Sequence, residues 1–279
     1  MSVAVRKSFV RRGWVRAFFV SAVIGLGLLV YAVAVEPNRV VVREVTIGEG
    51  EVQTRFVLVA DIHVGGMVVD ADKVGELVTL INAQDPDFVI MPGDFIDGSD
   101  CRADRSAAAN AEIEAGVASL INLKAPAYAS LGNHDTMYGR TTVHDLLGMA
   151  GVRVLHNGGE SRDGFCFVGM ADHDTDFPTS EGFNACAEGD TVVALMHSPD
   201  SRSLLRSDTA LAVAGHTHGG QVNLPILGRA VTSTACGKPC AYGLIQTEPP
   251  LYVTAGIGTS ILPIRFRATP EIVVITLNH

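Results

Sequence analysis

Five short, largely apolar runs in this chain each close on residues that can hold a cation, and this pattern limits the available folds more than any other feature. Phe56-Val57-Leu58-Val59-Ala60 leads into Asp61-Ile62-His63, and Phe88-Val89-Ile90-Met91 into Pro92-Gly93-Asp94. Tyr128-Ala129-Ser130-Leu131 leads into Gly132-Asn133-His134-Asp135. Val192 to Met196 ends at His197, and Leu211 to Ala214 ends at Gly215-His216-Thr217-His218. Short apolar runs bounded by Gly, Pro and polar residues read as buried strands. In α/β sheets the carboxyl ends of strands form the rim where ligands bind, so these five ends can deliver Asp, His and Asn to one place. If extended backbone continues through each motif, alternation turns Asp61 and His63, and likewise His216 and His218, to one side. A single Asp-x-His or Gly-Asp is an ordinary turn or cap; five in order at strand ends are hard to obtain by accident.

Between these runs lie helical stretches, Ala71 to Ile81, Ala107 to Leu120 and Val143 to Met149, which indicates β-α units around a largely parallel sheet. The second half is different. Val152 to Leu155, Phe165 to Val168, Leu251 to Thr254 and Ile272 to Thr276 read as further short strands, joined mostly by loops, with Ser201 to Arg206 a candidate helix. Two packed sheets covered by helices, a four-layer αββα sandwich, accommodate both halves; the pattern alone also allows one mixed sheet. The 279 residues, 47% of them hydrophobic, suffice for one large domain.

The N-terminus has its own character. Arg6, Lys7, Arg11, Arg12 and Arg16 are followed by Ala17 to Val35 without a charge, and nineteen residues at about 1.5 Å each nearly match a hydrocarbon core of about 30 Å. The organisation expected is a basic cytoplasmic segment over 1–16, a transmembrane anchor or uncleaved signal over 17–35, a linker with a first strand (Val40 to Ile47) over 36–54, and a catalytic domain over 55–279. The basic flank puts the N-terminus in the cytoplasm and the rest outside, a single-pass protein of the inner membrane with its domain on the periplasmic or extracytoplasmic face. A cleaved signal is the competing reading, with Arg11-Arg12 as a loose twin-arginine pair and Ala32-Val33-Ala34 as a cleavage site.

The chain carries a net charge of −9 despite its basic start, and so acidic a surface argues against nucleic acid as a partner. Of five cysteines, Cys101, Cys166, Cys186, Cys236 and Cys240, Cys236 with Cys240 or Cys166 with Cys186 can pair outside the cytoplasm; the odd total leaves one over, and the sequence does not set the connectivity. His144, His156, His173 and His279 lack the strand-end setting and receive no role.

Carboxylate, amide oxygen and imidazole together suit Mn, Fe or Zn, and the absence of thiolate argues against structural zinc. Seven candidate ligands, Asp61, His63, Asp94, Asn133, His197, His216 and His218, exceed the needs of one ion, so two divalent metal ions are expected.

From about Arg55 to the C-terminus these motifs resemble the calcineurin-like metallophosphoesterases, which have the four-layer sandwich fold. The resemblance implies one metal on Asp61, His63, Asp94 and His218, and the other on Asp94, Asn133, His197 and His216. Two cations joined by a bridging carboxylate can clamp a phosphate and lower the pKa of a water between them. His134 then stays off the metals as the catalytic acid or charge stabiliser, with Asp97 as its orienting partner. One departure stands out. Protein-phosphatase relatives place Arg directly after this second Asp, whereas Gly98 follows Asp97 here, so a protein-phosphatase mode is in doubt.

The anchor, Gly215-His216-Thr217-His218-Gly219-Gly220-Gln221, Leu262-Pro263-Ile264-Arg265 and Pro270-Glu271-Ile272 are similar to the single-domain, membrane-associated bacterial branch of that family. Some members of the branch hydrolyse UDP-2,3-diacylglucosamine in lipid A synthesis. The expected function is hydrolysis of phosphomonoester or phosphodiester bonds of a membrane-associated or envelope substrate, lipid-linked in one version. Gly66 to Val69 and Leu224 to Leu227 are apolar segments able to meet lipid. A UDP-lipid hydrolase is the enzymatic alternative, although its substrate lies on the cytoplasmic side; a metal-stabilised binding module is the other, although it has no use for His134.

Overall fold

The computed structural model describes residues 3–229 and 231–279. The first two residues of the basic segment expected over 1–16 lie outside the described residues. Helix α1 (Val3–Val30) continues through a π-turn at Tyr31–Val35 into a 3-10 turn at Glu36–Asn38. Within it Arg16–Asn38 is long and apolar enough to cross a membrane.

Fourteen strands form two six-stranded sheets and one small hairpin among the described residues. The first sheet contains β1 (Val41–Ile47), β2 (Gln53–Leu58), β3 (Phe88–Pro92), β4 (Ala127–Ser130) and β5 (Val152–Val154). The second contains β6 (Gly158–Arg162), β7 (Phe165–Gly169), β8 (Thr191–Leu195) and β9 (Thr209–Ala214). The hairpin is β10 (Asn223–Leu224) with β11 (Gly228–Arg229); β12 (Gly243–Ile245) and β13 (Leu251–Val253) complete the second sheet, and β14 (Glu271–Asn278) returns to the first. Their orders are β1-β14-β2-β3-β4-β5 and β12-β13-β9-β8-β7-β6. β2 to β5 run parallel, as do β7, β8, β9 and β13. The architecture is therefore two packed sheets.

Alternation along the strands builds three apolar layers. Val57, Val89, Met91 and Ala129 face α2 (Ala71–Asn82), α3 (Ala107–Ala118) and α4 (Asn133–Met149), meeting Leu77, Ile81, Ile113 and Val143. Phe56, Leu58, Phe88, Ile90 and Tyr128 face the other way and meet Phe165, Phe167, Val193 and Leu211 of the second sheet. Tyr128 and Phe167 stack with ring centroids 3.8 Å apart. Cys166, Val192 and Ala212 pack beneath Phe183, Leu204 and Leu205, so the fourth layer consists of 3-10 turns (Glu181–Ala185, Pro199–Leu204) rather than long helices.

Helix α4 begins at Asn133, ten residues before the expected Val143, because its first turn is polar and Gly139 interrupts it at φ 144°. The expected helix at Ser201 to Arg206 is the 3-10 turn just named. Cys166 bonds Cys186 and Cys236 bonds Cys240, leaving Cys101 exposed.

The end of the apolar helix docks on the domain. Arg265 donates its backbone N–H to Ala32 O over 2.9 Å, and the buried Glu36 carboxylate accepts from Ala268 N–H at 2.9 Å.

Candidate metal centre

The carboxyl ends of β2, β3, β4, β8 and β9 converge from both sheets, and the candidate ligands fall into two groups. Asp61, His63 and His218 form one, while Asp94, His197 and His216 form the other; His63 also stands close to Asp97 and His134. His63 Nε2 faces His218 Nε2 at 3.2 Å, and His218 Nε2 lies 3.9 Å from Asp61 Oδ1. In the second group His216 Nδ1 lies 3.1 Å from His197 Nε2, and Asn133 Oδ1 is 3.0 Å from His197 Nε2 and 3.1 Å from His216 Nδ1. Asp94 joins the two, with one oxygen, Oδ2, 3.4 Å from His63 Nε2 and 3.2 Å from His197 Nε2.

These spacings fit cations. Ligand atoms about 2.0–2.2 Å from a shared ion stand roughly 3.0–3.5 Å apart in tetrahedral or octahedral arrangements. Two of the remaining ring nitrogens, His197 Nδ1 and His216 Nε2, have partners that orient the ring, as metal-ligating histidines commonly do. Pro92 O accepts from His197 Nδ1–H at 2.9 Å, and Asp174 Oδ2 lies 3.2 Å from His216 Nε2. The donor chemistry, nitrogen and oxygen without thiolate, suits divalent Mn, Fe or Zn.

The local backbone is not the extended one that alternation assumes. Asp61, His63, Asp94, His216 and His218 all have positive φ, between 49° and 68°. Each strand ends before its motif, and the following residues turn in the left-handed region, which Asp and His tolerate better than most side chains. Such strain persists only where surrounding structure enforces it. At the Asp94 turn Asp135 supplies the restraint, its buried carboxylate accepting from the N–H groups of Asp94, Phe95, Ile96 and Gly132 at 2.9–3.1 Å. The His216 N–H likewise donates to both oxygens of Asp61 at 2.9 and 3.1 Å.

Burial shapes the protonation states. It pushes Asp61 up to about 7 against the pull of His197, with the Asp94 carboxylate adding to the rise. Burial also depresses His63 to about 4, and lowers His218, beside His63 and Arg265, and His216, beside His197. Asp94 goes the other way despite its burial, because His197 and His63 hold it well below the usual carboxylate range. His197 is correspondingly raised against burial by Asp94. Neutral imidazoles aimed inward are the metal-ligating form, and two cations can take over the charge balance that one imidazolium otherwise maintains.

His134 sits on the first turn of α4 and lines a cleft of about 960 Å³ together with Asp94, Asn133, His216 and His218. Asp97 is not its hydrogen-bond partner: Oδ1 lies 3.8 Å from His134 Nδ1. That nitrogen accepts from Gly98 N–H at 3.1 Å instead, while Arg105 binds Asp97 O at 2.5 Å and approaches Oδ2 at 3.5 Å. The absence of an arginine at position 98 has a steric cause, since a Cβ there would stand 2.0 Å from His134 O.

Asp135, Asp174 and Arg265 complete the surroundings without having been singled out by sequence reasoning. Asp135 lies inside a motif, and Arg265 in the Leu262-Pro263-Ile264-Arg265 stretch. Its guanidinium is fully buried, donates to Ala255 O, Gly258 O and Ala268 O, and comes within 3.4 Å of His218 Nδ1. Asp174 has no signal in the sequence. Three of the four histidines given no role lie apart: His156 pairs with Asp176, His144 with Asp145, and His279 bridges Thr54 and Thr191. His173 lines the cleft.

The sequence profile of calcineurin-like phosphoesterases matches residues 54–220. The uncharacterized metallophosphoesterase YkuE of Bacillus subtilis (strain 168) is 31% identical over 266 residues, 89% of each chain. The phosphodiesterase YaeI of Escherichia coli (strain K12) is 27% identical, covering 80% of this chain and 82% of its own. A transmembrane protein with metallophosphoesterase domain from Danio rerio is 28% identical over 96% of this chain, which spans 63% of that longer relative.

Proposed function

The chain belongs to the calcineurin-like phosphoesterase family and is a metal-dependent phosphoester hydrolase, and on that premise we propose that it cleaves phosphomonoester or phosphodiester bonds of a membrane-associated or envelope substrate with two divalent cations. Asp61, His63, Asp94 and His218 would hold one ion, and Asp94, Asn133, His197 and His216 the other. When bound, such ions supply Lewis acidity toward phosphoryl oxygens and an activated water. The observation that carries the reading is Asp94 Oδ2, equidistant to within 0.2 Å of one imidazole from each group at 3.4 and 3.2 Å.

The protein's own groups do the rest. Asp94 Oδ1 accepts the His134 backbone N–H at 2.9 Å, which ties the bridging carboxylate to the turn carrying the acid. The Gly98 N–H on Nδ1 leaves Nε2 as the ring's donor, able to hydrogen-bond the departing oxygen and stabilise its charge. Asp97, with Arg105 behind it, stands 3.8 Å from His134 Nδ1.

The phosphodiesterase name of the Escherichia coli relative weighs toward a diester. The apolar helix, the basic segment before it and two disulfides support an anchored domain on the extracytoplasmic face. That placement disfavours a cytoplasmic UDP-lipid substrate.

The test is hydrolysis of an aryl phosphodiester and the matching monoester by the detergent-solubilised full chain with Mn, beside Asp94→Asn. Metal-dependent turnover that disappears in the variant supports the reading; equal turnover by both proteins overturns it.

A further inference from the structure

Two tight turns beside the cleft have the same construction. Pro225-Ile226-Leu227 closes with Leu227 N–H donating to Pro225 O at 2.8 Å, and Ser260-Ile261-Leu262 with Leu262 N–H donating to Ser260 O at 2.7 Å. The central isoleucines have φ of 71° and 65°. Three-residue turns with positive φ are rare and strained, and a β-branched residue is the least suited to them. Both isoleucines nevertheless point into solvent, Ile226 fully and Ile261 91% exposed, with Leu227, Leu262 and Val231 exposed around them.

The two tips grow from paired segments. Val222 bridges Phe266, and the Gln221 amide clasps the second turn through Ser260 and Leu262. Leu262 and Arg265 are three positions apart, at most about 11 Å of chain, and Arg265 N–H is bonded to Ala32 O near the end of the apolar helix. The apolar tips therefore stand beside the place where the helix meets the domain. Exposed cations flank them: Arg39 just past the helix, Arg267, and Lys238, whose Nζ donates to Leu227 O at 2.9 Å. Apolar side chains bordered by Lys and Arg are the composition of a surface lying in the headgroup boundary.

We propose that Ile226–Leu227 and Ile261–Leu262 insert into the bilayer that α1 crosses, so that the phosphoesterase cleft opens at the lipid–water boundary. This rests on the anchored reading of the helix. Ile261 and Leu262 also line the cleft with His134 and His216, which puts its apolar wall against lipid and gives the phosphoester group of an amphiphile a direct path to the metal-binding residues. Of the two segments expected to meet lipid, Leu224 to Leu227 contributes to this surface. Gly66 to Val69 offers only Met67, because Val69 is buried in the core.

The test uses the full chain in nanodiscs of phosphatidylethanolamine and phosphatidylglycerol, with Trp14, the only tryptophan, replaced by phenylalanine. Single tryptophans are introduced as Ile226→Trp, Ile261→Trp, Val23→Trp in the middle of the span, and Met149→Trp at the end of α4 farthest from the site. Leu227→Trp and Leu262→Trp repeat the test without the left-handed backbone. Quenching by acyl-brominated lipid is expected to be several-fold stronger at the four tip positions than at Met149→Trp. Quenching at Val23→Trp with tip positions that behave like Met149→Trp overturns the proposal while leaving the anchor in place. No quenching at Val23→Trp overturns the anchor reading and the proposal with it.

Discussion

Gly98 donates its N–H to His134 Nδ1 over 3.1 Å, and its lack of a side chain is what lets the two backbones approach. A methyl group at Gly98 would meet His134 O at 2.0 Å. His134→Ala is predicted to lower turnover by about 10²–10⁴-fold, the range typical of a lost general acid, with metal content unchanged. Gly98→Ala should also cost activity although residue 98 contributes no side chain to the site. Steady-state rates with metal analysis of both variants check this; a wild-type rate in His134→Ala removes it from the chemistry.

Metal uptake should depend on pH with a definite sign. Asp61, buried and raised to about 7, keeps its proton in the folded, metal-free protein at pH values where the unfolded chain has lost it. Its contribution to stability is present below about 4 and is lost as pH rises through about 7. His63, depressed to about 4, contributes the opposite dependence, present above about 6.5 and lost as pH falls through about 4. A cation binding below pH 7 must therefore displace the Asp61 proton. Apparent affinity for Mn should weaken as pH falls below about 7, by up to about tenfold per pH unit for each proton released. Calorimetry at pH 6, 7 and 8 in buffers of different ionisation enthalpy measures both quantities; pH-independent affinity without proton release contradicts the assignment.

Asp135 touches no substrate in this account, yet it gathers four backbone N–H groups around the Asp94 turn. Asp135→Ala leaves these buried donors without an acceptor, a loss of about 3 kcal/mol or more. For a chain of this size that corresponds to a melting temperature lower by about 6–12 °C. A thermal melt in detergent within about 2 °C of wild type would show that the turn is held by other contacts.

The strand ends were legible because each joins two signals, an apolar run and a metal-competent terminus. Asp61, Asp94 and His197 could be placed at a common rim from that pattern. The orientation of side chains within the motifs was not legible, since five of these residues leave the extended region for positive φ, a choice imposed by Asp135 and by the neighbouring sheet. The start of α4 was hidden by its polar first turn, and β6, Gly158–Arg162, by having almost no apolar residues. Asp174 reaches His216 only through the fold. Ile226 lies in a segment the sequence marks as able to meet lipid, whereas Ile261 reads as an ordinary apolar position until its turn reveals how it is displayed.

The most direct test of the central claim is the number of metal ions held per chain by the wild-type protein and by Asp94→Asn, counted after reconstitution with Mn and removal of excess metal, with phosphodiester turnover followed in parallel. A bridging Asp94 predicts two ions in the wild type, fewer than two in the variant, and no turnover without the pair. One ion per active wild-type chain, or two ions with full activity in Asp94→Asn, would contradict it.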